Sequence, residues 1–242
     1  MKNNRREQYK KDYSSCYDFI RKHPDGFRFI RKDFKTEEMC NLAVEKCGNM
    51  IQYVPEYFIT EHLCEKAIRN NPSSILNIPK EYATTSLWHS AVLQQPKLAK
   101  YAPTFTYGMK NAAIEYDPYL IRYLPQDELT CEKAIDMNGN VIRYIKQDKL
   151  NYYMCAEAVK QNPENLKYVP EEFQDENMCL LAVKRNPSVL KYVINQTEEI
   201  CHEAIKQDGT LLPFVKNQTK KIRRQATYSN IFNRVIINKK QV

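Results

Sequence analysis

No run of 18 apolar residues occurs anywhere in the 242-residue chain, so no membrane-spanning helix is expected. Glycine is scarce: Gly26, Gly48, Gly108, Gly139 and Gly209 stand far apart, and no cluster can bring backbone amides around a phosphate. The eight cysteines contain no Cys-x-x-Cys pair, which removes the basic unit of zinc ribbons and dithiol redox motifs. The four histidines do not pair with each other at ligand spacing. His62 with Cys64 and Cys201 with His202 are two and one residues apart, and helical side chains that close do not share a face. No apolar segment follows the polar start at Met1, so no secretory leader is expected. The 12 prolines are dispersed, which argues against a linker or low-complexity stretch. These absences remove the usual catalytic, cofactor-binding and metal-binding constellations. The expectation is a non-enzymatic chain with no cofactor and no small-molecule substrate.

What the chain does have is self-similarity. Cys64-Glu-Lys-Ala-Ile68, Cys131-Glu-Lys-Ala-Ile135, Cys155-Ala-Glu-Ala-Val159, Cys179-Leu-Leu-Ala-Val183 and Cys201-His-Glu-Ala-Ile205 share one frame. Its anchor residue recurs as Phe19, Ala43, Ala67, Ala91, Ala113, Ala134, Ala158, Ala182 and Ala204, at spacings of 21 to 24. Seven residues before each anchor stands an N-cap type: Asp12, Thr36, Thr60, Thr84, Thr106, Asp127, Asn151, Asp175 and Thr197. Apolar residues then fall four and three before the anchor, at it, and one after, which gathers them on one helical face. Five residues after each anchor the chain has Pro or Gly. Proline opens a second short helix, and glycine is expected to end the first in the left-handed conformation. The predicted architecture is an all-α solenoid of nine helix-turn-helix repeats, because so small a unit buries its apolar face only by stacking on its neighbours.

Seven of the eight cysteines occupy one repeat position, where they read as small buried hydrophobes. Equivalent positions one repeat apart are separated by about 10 Å, too far for a disulfide. Reduced thiols point to a cytoplasmic setting. The segment Ala158-Val-Lys-Gln-Asn-Pro-Glu-Asn-Leu-Lys-Tyr-Val-Pro-Glu-Glu172 and its sister copies resemble the tandem repeats of a domain of unknown function, number 4116, common in large DNA viruses of amoebae and found in some bacteria. The resemblance covers roughly residues 13 to 216 and implies helical repeats. A viral origin, with a place in host cytoplasm or virion, suits the richness in Lys, Asn, Ile and Tyr. The resemblance carries over no catalytic or binding residue.

Ten residues after the anchor, six copies place tyrosine, Tyr123, Tyr144 and Tyr168 among them. Such a ladder serves inter-repeat packing with the hydroxyl at the surface, or lines a groove for a peptide or stacked bases. The net charge of +8 is uneven: residues 1–11 carry +4 and residues 216–242 carry +8, which leaves −4 for residues 12–215. Three segments follow: a basic arm at 1–11, repeats at 12–216, and a basic segment at 217–242 that either caps the last repeat or forms a tail. The expected role is a scaffold for another protein. The alternative is single-stranded RNA or DNA binding through the basic ends, with Lys220, Lys221, Arg223 and Arg224, and through the tyrosines.

Overall fold

The computed structural model describes residues 15–239, with side chains described through Ile231. The arm at 1–11 and the expected cap Asp12 lie outside the described residues. The fold is all-α and built of repeats. The chain divides into two compact units, Met1–Leu124 and Pro125–Val242. In the first, α1 (residues 15–22) is followed by α2 (Glu37–Lys46), α3 (Glu61–Asn70), α4 (Thr85–Gln94) and α5 (Tyr107–Tyr116). The second holds α6 (Glu128–Met137), α7 (Tyr152–Gln161), α8 (Glu176–Arg185), α9 (Glu198–Gln207) and α10 (Lys220–Lys239). Within each unit, consecutive helices from α2 onward pack side by side.

Every helix from α2 to α9 starts as the sequence dictates. The side-chain oxygens of Thr36, Thr60, Thr84, Thr106, Asp127, Asn151, Asp175 and Thr197 each accept the amide N–H three residues on. In α7 the residues packed inward are Met154, Cys155, Ala158 and Val159, all essentially inaccessible to solvent. The other helices repeat the pattern.

The second helix of each repeat is a six-residue 3₁₀ helix, such as Pro163–Tyr168. One extended residue joins the two helices. Six copies put Asn or Asp there, and Asn71, Asp117, Asn138, Asn162, Asn186 and Asp208 each cap the 3₁₀ helix by accepting the amide N–H two residues on. Cys47, the cysteine out of register with the others, occupies this junction and makes no side-chain cap. In four of the 24-residue repeats a further three-residue 3₁₀ turn precedes the next helix, as at Glu171–Phe173. The 21- and 22-residue repeats do without it, which accounts for the unequal spacing.

The glycines differ from expectation. No described residue has a positive φ, so none ends a helix in the left-handed conformation. Their role is close approach. A Cβ on Gly48 would stand 2.3 Å from the carbonyl oxygen of Ala67, and one on Gly139 would stand 2.9 Å from the Cα of Ala158. Each of these two glycines thus lies against the anchor alanine of the next repeat. Glycine also restores an amide N–H that proline lacks, and that group needs an acceptor. Gly48 donates to Asn70 Oδ1 at 2.7 Å and Gly139 to Gln161 Oε1 at 2.6 Å, both acceptors coming from the last turn of the following repeat's first helix.

A second inter-repeat tie is a glutamine eight residues before the anchor. Gln174 is buried; its Nε2 donates to Leu166 O and Val169 O, both at 3.2 Å, and its Oε1 accepts the Ile194 amide at 3.1 Å. Gln196 spans Leu190, Phe214 and Lys216 in the same way. The repeat-position thiols face these amides: Cys179 Sγ is 3.9 Å from Gln174 Oε1, and Cys201 Sγ is 3.6 Å from Gln196 Oε1. In the second repeat the same position is Lys35, buried, with Nζ donating to Tyr53 O at 2.7 Å and lying 4.3 Å from the Phe27 ring centre. Burial pushes its amine below the usual lysine range; Cys40 opposes that shift and Lys32 adds to it. Lys35→Gln should therefore raise the melting temperature of this unit by about 2–4 °C, because it replaces a buried cation with the residue that bridges neighbouring repeats elsewhere. A lower melting temperature in a thermal scan at neutral pH contradicts this reading.

The basic C-terminal segment begins as a tenth first helix. Thr219, which stands 22 residues after the cap Thr197 as Ala226 stands 22 after the anchor Ala204, accepts the Ile222 amide at 3.3 Å, and Ile222 and Ala226 are buried. Helix α10 packs on α9 and on the 3₁₀ helix Gly209–Phe214. Arg223 takes the cysteine position and Ile231 the Pro or Gly position, so nothing stops the helix after ten residues and it runs for 20.

Candidate functional site

The last two residues of each 3₁₀ helix form the most distinctive surface feature. The final residue is the ladder aromatic. The one before it is basic in six copies: Arg28, Lys100, Arg122, Arg143, Lys167 and Lys191. Because they are adjacent at the end of a tight helix, the cation lies over the ring. In the first unit, Lys100 Nζ is 4.6 Å from the Tyr101 ring centre and the Arg122 guanidinium is 5.1 Å from that of Tyr123. Both rings are exposed.

In the second unit the row is continuous across repeats. The Arg143 guanidinium lies 5.9 Å from Tyr144 and 5.8 Å from Tyr168. Lys167 Nζ lies 5.0 Å from Tyr168 and 5.9 Å from Tyr192, and Lys191 Nζ lies 4.8 Å from Tyr192. Cation and ring alternate along three repeats, each contact within the range where the ring quadrupole attracts charge. The rings of Tyr144, Tyr168 and Tyr192 are half-buried, while Arg143, Lys167 and Lys191 are exposed. Among the described residues, none of these three cations forms an ion pair with a carboxylate. The expected ladder is there, with Tyr123 in the first unit and Tyr144 and Tyr168 in the second. The basic column beside it was not foreseen. Its signal was present in the sequence as Arg or Lys just before the aromatic, but a segment sum of −4 cancels it.

The other expected candidates sit on α10. Lys220, Lys221, Arg223 and Arg224 are all exposed in its first turns. Lys221 pairs with Glu198 at 3.1 Å, an exposed contact of small energetic weight. Cations at a helix N-terminus oppose the helix dipole. Several first turns carry acids, as with Glu37 and Glu38 or Glu198 and Glu199; α10, like α4, α5 and α7, has none, and it alone of these places four cations there.

Six of the eight cysteines are buried, and Cys16 and Cys47 are partly exposed. Burial pushes the thiols of Cys40, Cys64 and Cys179 up to about 11 and that of Cys155 up to about 12. A thiol held protonated in this way is a poor nucleophile and a poor metal ligand at neutral pH. No group of three His, Cys, Asp or Glu side chains arranged to hold a metal occurs among the described residues. No helix among the described residues is long and apolar enough to cross a membrane.

No curated protein and no solved structure matches the chain. A family model does match, twice, over residues 36–82 and 153–196, which contain the α2–α3 and α7–α8 regions described above. The model is that of the family described as domain of unknown function (DUF4116), and its two matches, one in each compact unit, are consistent with tandem repeats of that family.

Proposed function

We propose that the chain is a non-enzymatic helical-repeat scaffold that binds another protein along the exposed ends of its 3₁₀ helices. The observation that supports this reading is the alternation of Arg143, Tyr168, Lys167, Tyr192 and Lys191, which recurs at one register and is not needed to close the core. Tyrosine and arginine supply contact area at low entropic cost and dominate the energetics of protein interfaces. Stacked repeats present such residues over an extended surface. A reducing compartment such as the cytosol suits buried thiols that form no disulfide among the described residues.

The test is site-specific photo-crosslinking in extracts of cells that naturally make the protein. A benzophenone side chain at position 168 should give discrete protein adducts, which purified partner then reproduces, while one at Leu181, exposed on α8, should not. Adducts at 168 that vanish on nuclease treatment contradict the reading. They favour the second reading, nucleic-acid binding, which has its own support in the four cations at the N-terminus of α10. Cations placed against the helix dipole carry an electrostatic cost that a bound polyanion relieves.

A further inference from the structure

We infer that the ring-and-cation row of the second unit docks an extended acidic segment of a protein partner, one carboxylate per repeat; this rests on the protein-scaffold reading above and names the chemistry of its partner.

Spacing is the first ground. Arg143 is 5.9 Å from one ring and 5.8 Å from the next, so successive rings are no more than about 12 Å apart, in keeping with the 8–10 Å separation of packed helices. A peptide in the polyproline II conformation has three residues per turn and advances about 3.1 Å per residue, so every third side chain returns to the same face about one repeat further on. Arg143, Lys167 and Lys191 thus match carboxylates at positions i, i+3 and i+6 of a polyproline II chain. The half-buried rings between them offer apolar edges to the intervening side chains.

Charge is the second ground. The cations are exposed and have no carboxylate partner among the described residues, so an incoming carboxylate displaces no existing ion pair. The repeats that carry the row, residues 125–219, hold 11 basic and 15 acidic side chains with the row itself included, while residues 220–242 bring the unit to 18 basic and 15 acidic. Within the repeats that excess of acid works against a single-stranded nucleic acid, which carries a charge on every nucleotide, far more than against a peptide with one charge in three residues.

Ring access is the third ground. Tyr168 has cations 5.0 and 5.8 Å from its centre and Tyr192 has them 4.8 and 5.9 Å away. Base stacking needs a free ring face, and the neighbouring cations and partial burial deny it. What remains on offer is the charged heads of Arg143, Lys167 and Lys191.

The experiment is fluorescence anisotropy at about 150 mM salt, where exposed charges act over only ~8 Å. The probes are a labelled peptide of four Glu-Pro-Pro triplets, whose prolines hold the polyproline II conformation, its Gln-Pro-Pro analogue, and a 12-nucleotide oligo-dT. Three full-length proteins are compared: wild type; Arg143→Glu with Lys167→Glu and Lys191→Glu; and a charge-matched control, Lys220→Glu with Arg223→Glu and Arg224→Glu. The row variant should weaken Glu-peptide binding at least tenfold and the α10 variant less than threefold, and the Gln peptide should bind at least tenfold more weakly to wild type. Should the Glu row variant lose its thermal transition, the corresponding Arg143→Gln, Lys167→Gln, Lys191→Gln protein replaces it with the same expectation. Equal loss in the two charge-matched variants, or equal binding of Glu and Gln peptides, overturns the inference, as does tighter binding of oligo-dT that depends on the row. If partner crosslinks at position 168 persist while the row variant loses nothing on the acidic peptide, the acidic chemistry is wrong and the scaffold reading stands.

Discussion

Between pH 9 and pH 11 the protein should lose most of its stability, with the repeat-position thiols as the cause. Cys40, Cys64, Cys155 and Cys179 are almost wholly buried, and burial raises each from 9.0 to about 11 or, for Cys155, about 12. Below pH 9 folded and unfolded chains hold these protons equally. Above it the unfolded chain releases them and the folded chain cannot, so the stability present below the unfolded pKa is lost as pH rises toward the folded values. Each thiol costs about 1.4 kcal/mol per pH unit in that window. Four together cost about 5 kcal/mol per unit, against a total of roughly 5–15 kcal/mol for a typical domain. Urea melts under reductant at pH 7, 9 and 10 should show midpoints that fall steeply above pH 9. A protein with all four cysteines changed to alanine should start from lower stability and decline much less. Parallel decline in the two proteins would show that other groups, such as the tyrosines, carry the alkaline effect.

Ala158→Leu should destabilise the second unit by about 3 kcal/mol, the upper end for overpacking of a closed core. Ala158 is fully buried, and a Cβ on Gly139 would already stand 2.9 Å from its Cα and 3.1 Å from its carbonyl oxygen. A leucine there meets backbone that is held in place by Gly139 donating to Gln161, so relaxation is confined. The comparison is Leu181→Ala, an exposed position on α8 that should change stability by less than about 0.5 kcal/mol. An unchanged melting temperature for Ala158→Leu contradicts the assignment of the anchor alanines to the inter-repeat contact.

Much of the fold is legible residue by residue, because its local rules need only one side chain and its own helix. Thr36, Thr60 and Thr197 can be read as caps since each acts on an amide three positions away. Ala67 and Ala158 can be read as contact points since a fixed small residue in a regular register has few other uses. Features that join one repeat to the next are harder to see. Gln174 serves backbone groups at Leu166, Val169 and Ile194, and nothing about those three residues advertises the need. Its companions Gln126, Gln196 and Gln218 stand at the same offset, but the search for apolar and capping types passes over them. The tenth helix is hidden in the same way: Thr219, Ile222 and Ala226 keep the register while Arg223 and Ile231 break the two most visible marks of it. The glycines were assigned the wrong reason because a sequence shows that a side chain is missing and not what occupies its place. The basic column was masked by summing charge along the chain when its members lie one per repeat.

The pairing of each junction with the following helix bears on how such an array can be lengthened or shuffled. Where a repeat has glycine after its first helix, the next must bring an acceptor, as Asn70 does for Gly48 and Gln161 for Gly139. Where it has proline no acceptor is needed: Arg185, which follows Pro163, offers only donors and turns to Lys160 O instead. A segment copied from one cap to the next splits these matched residues at both borders and can leave an amide stranded beneath a donor. A segment running from the middle of one repeat to the middle of the next keeps donor and acceptor together. The natural cassette for duplication or for engineered extension is therefore staggered by half a period from the repeat as it is drawn, beginning at a junction such as Asn138 and ending at the last turn of α7.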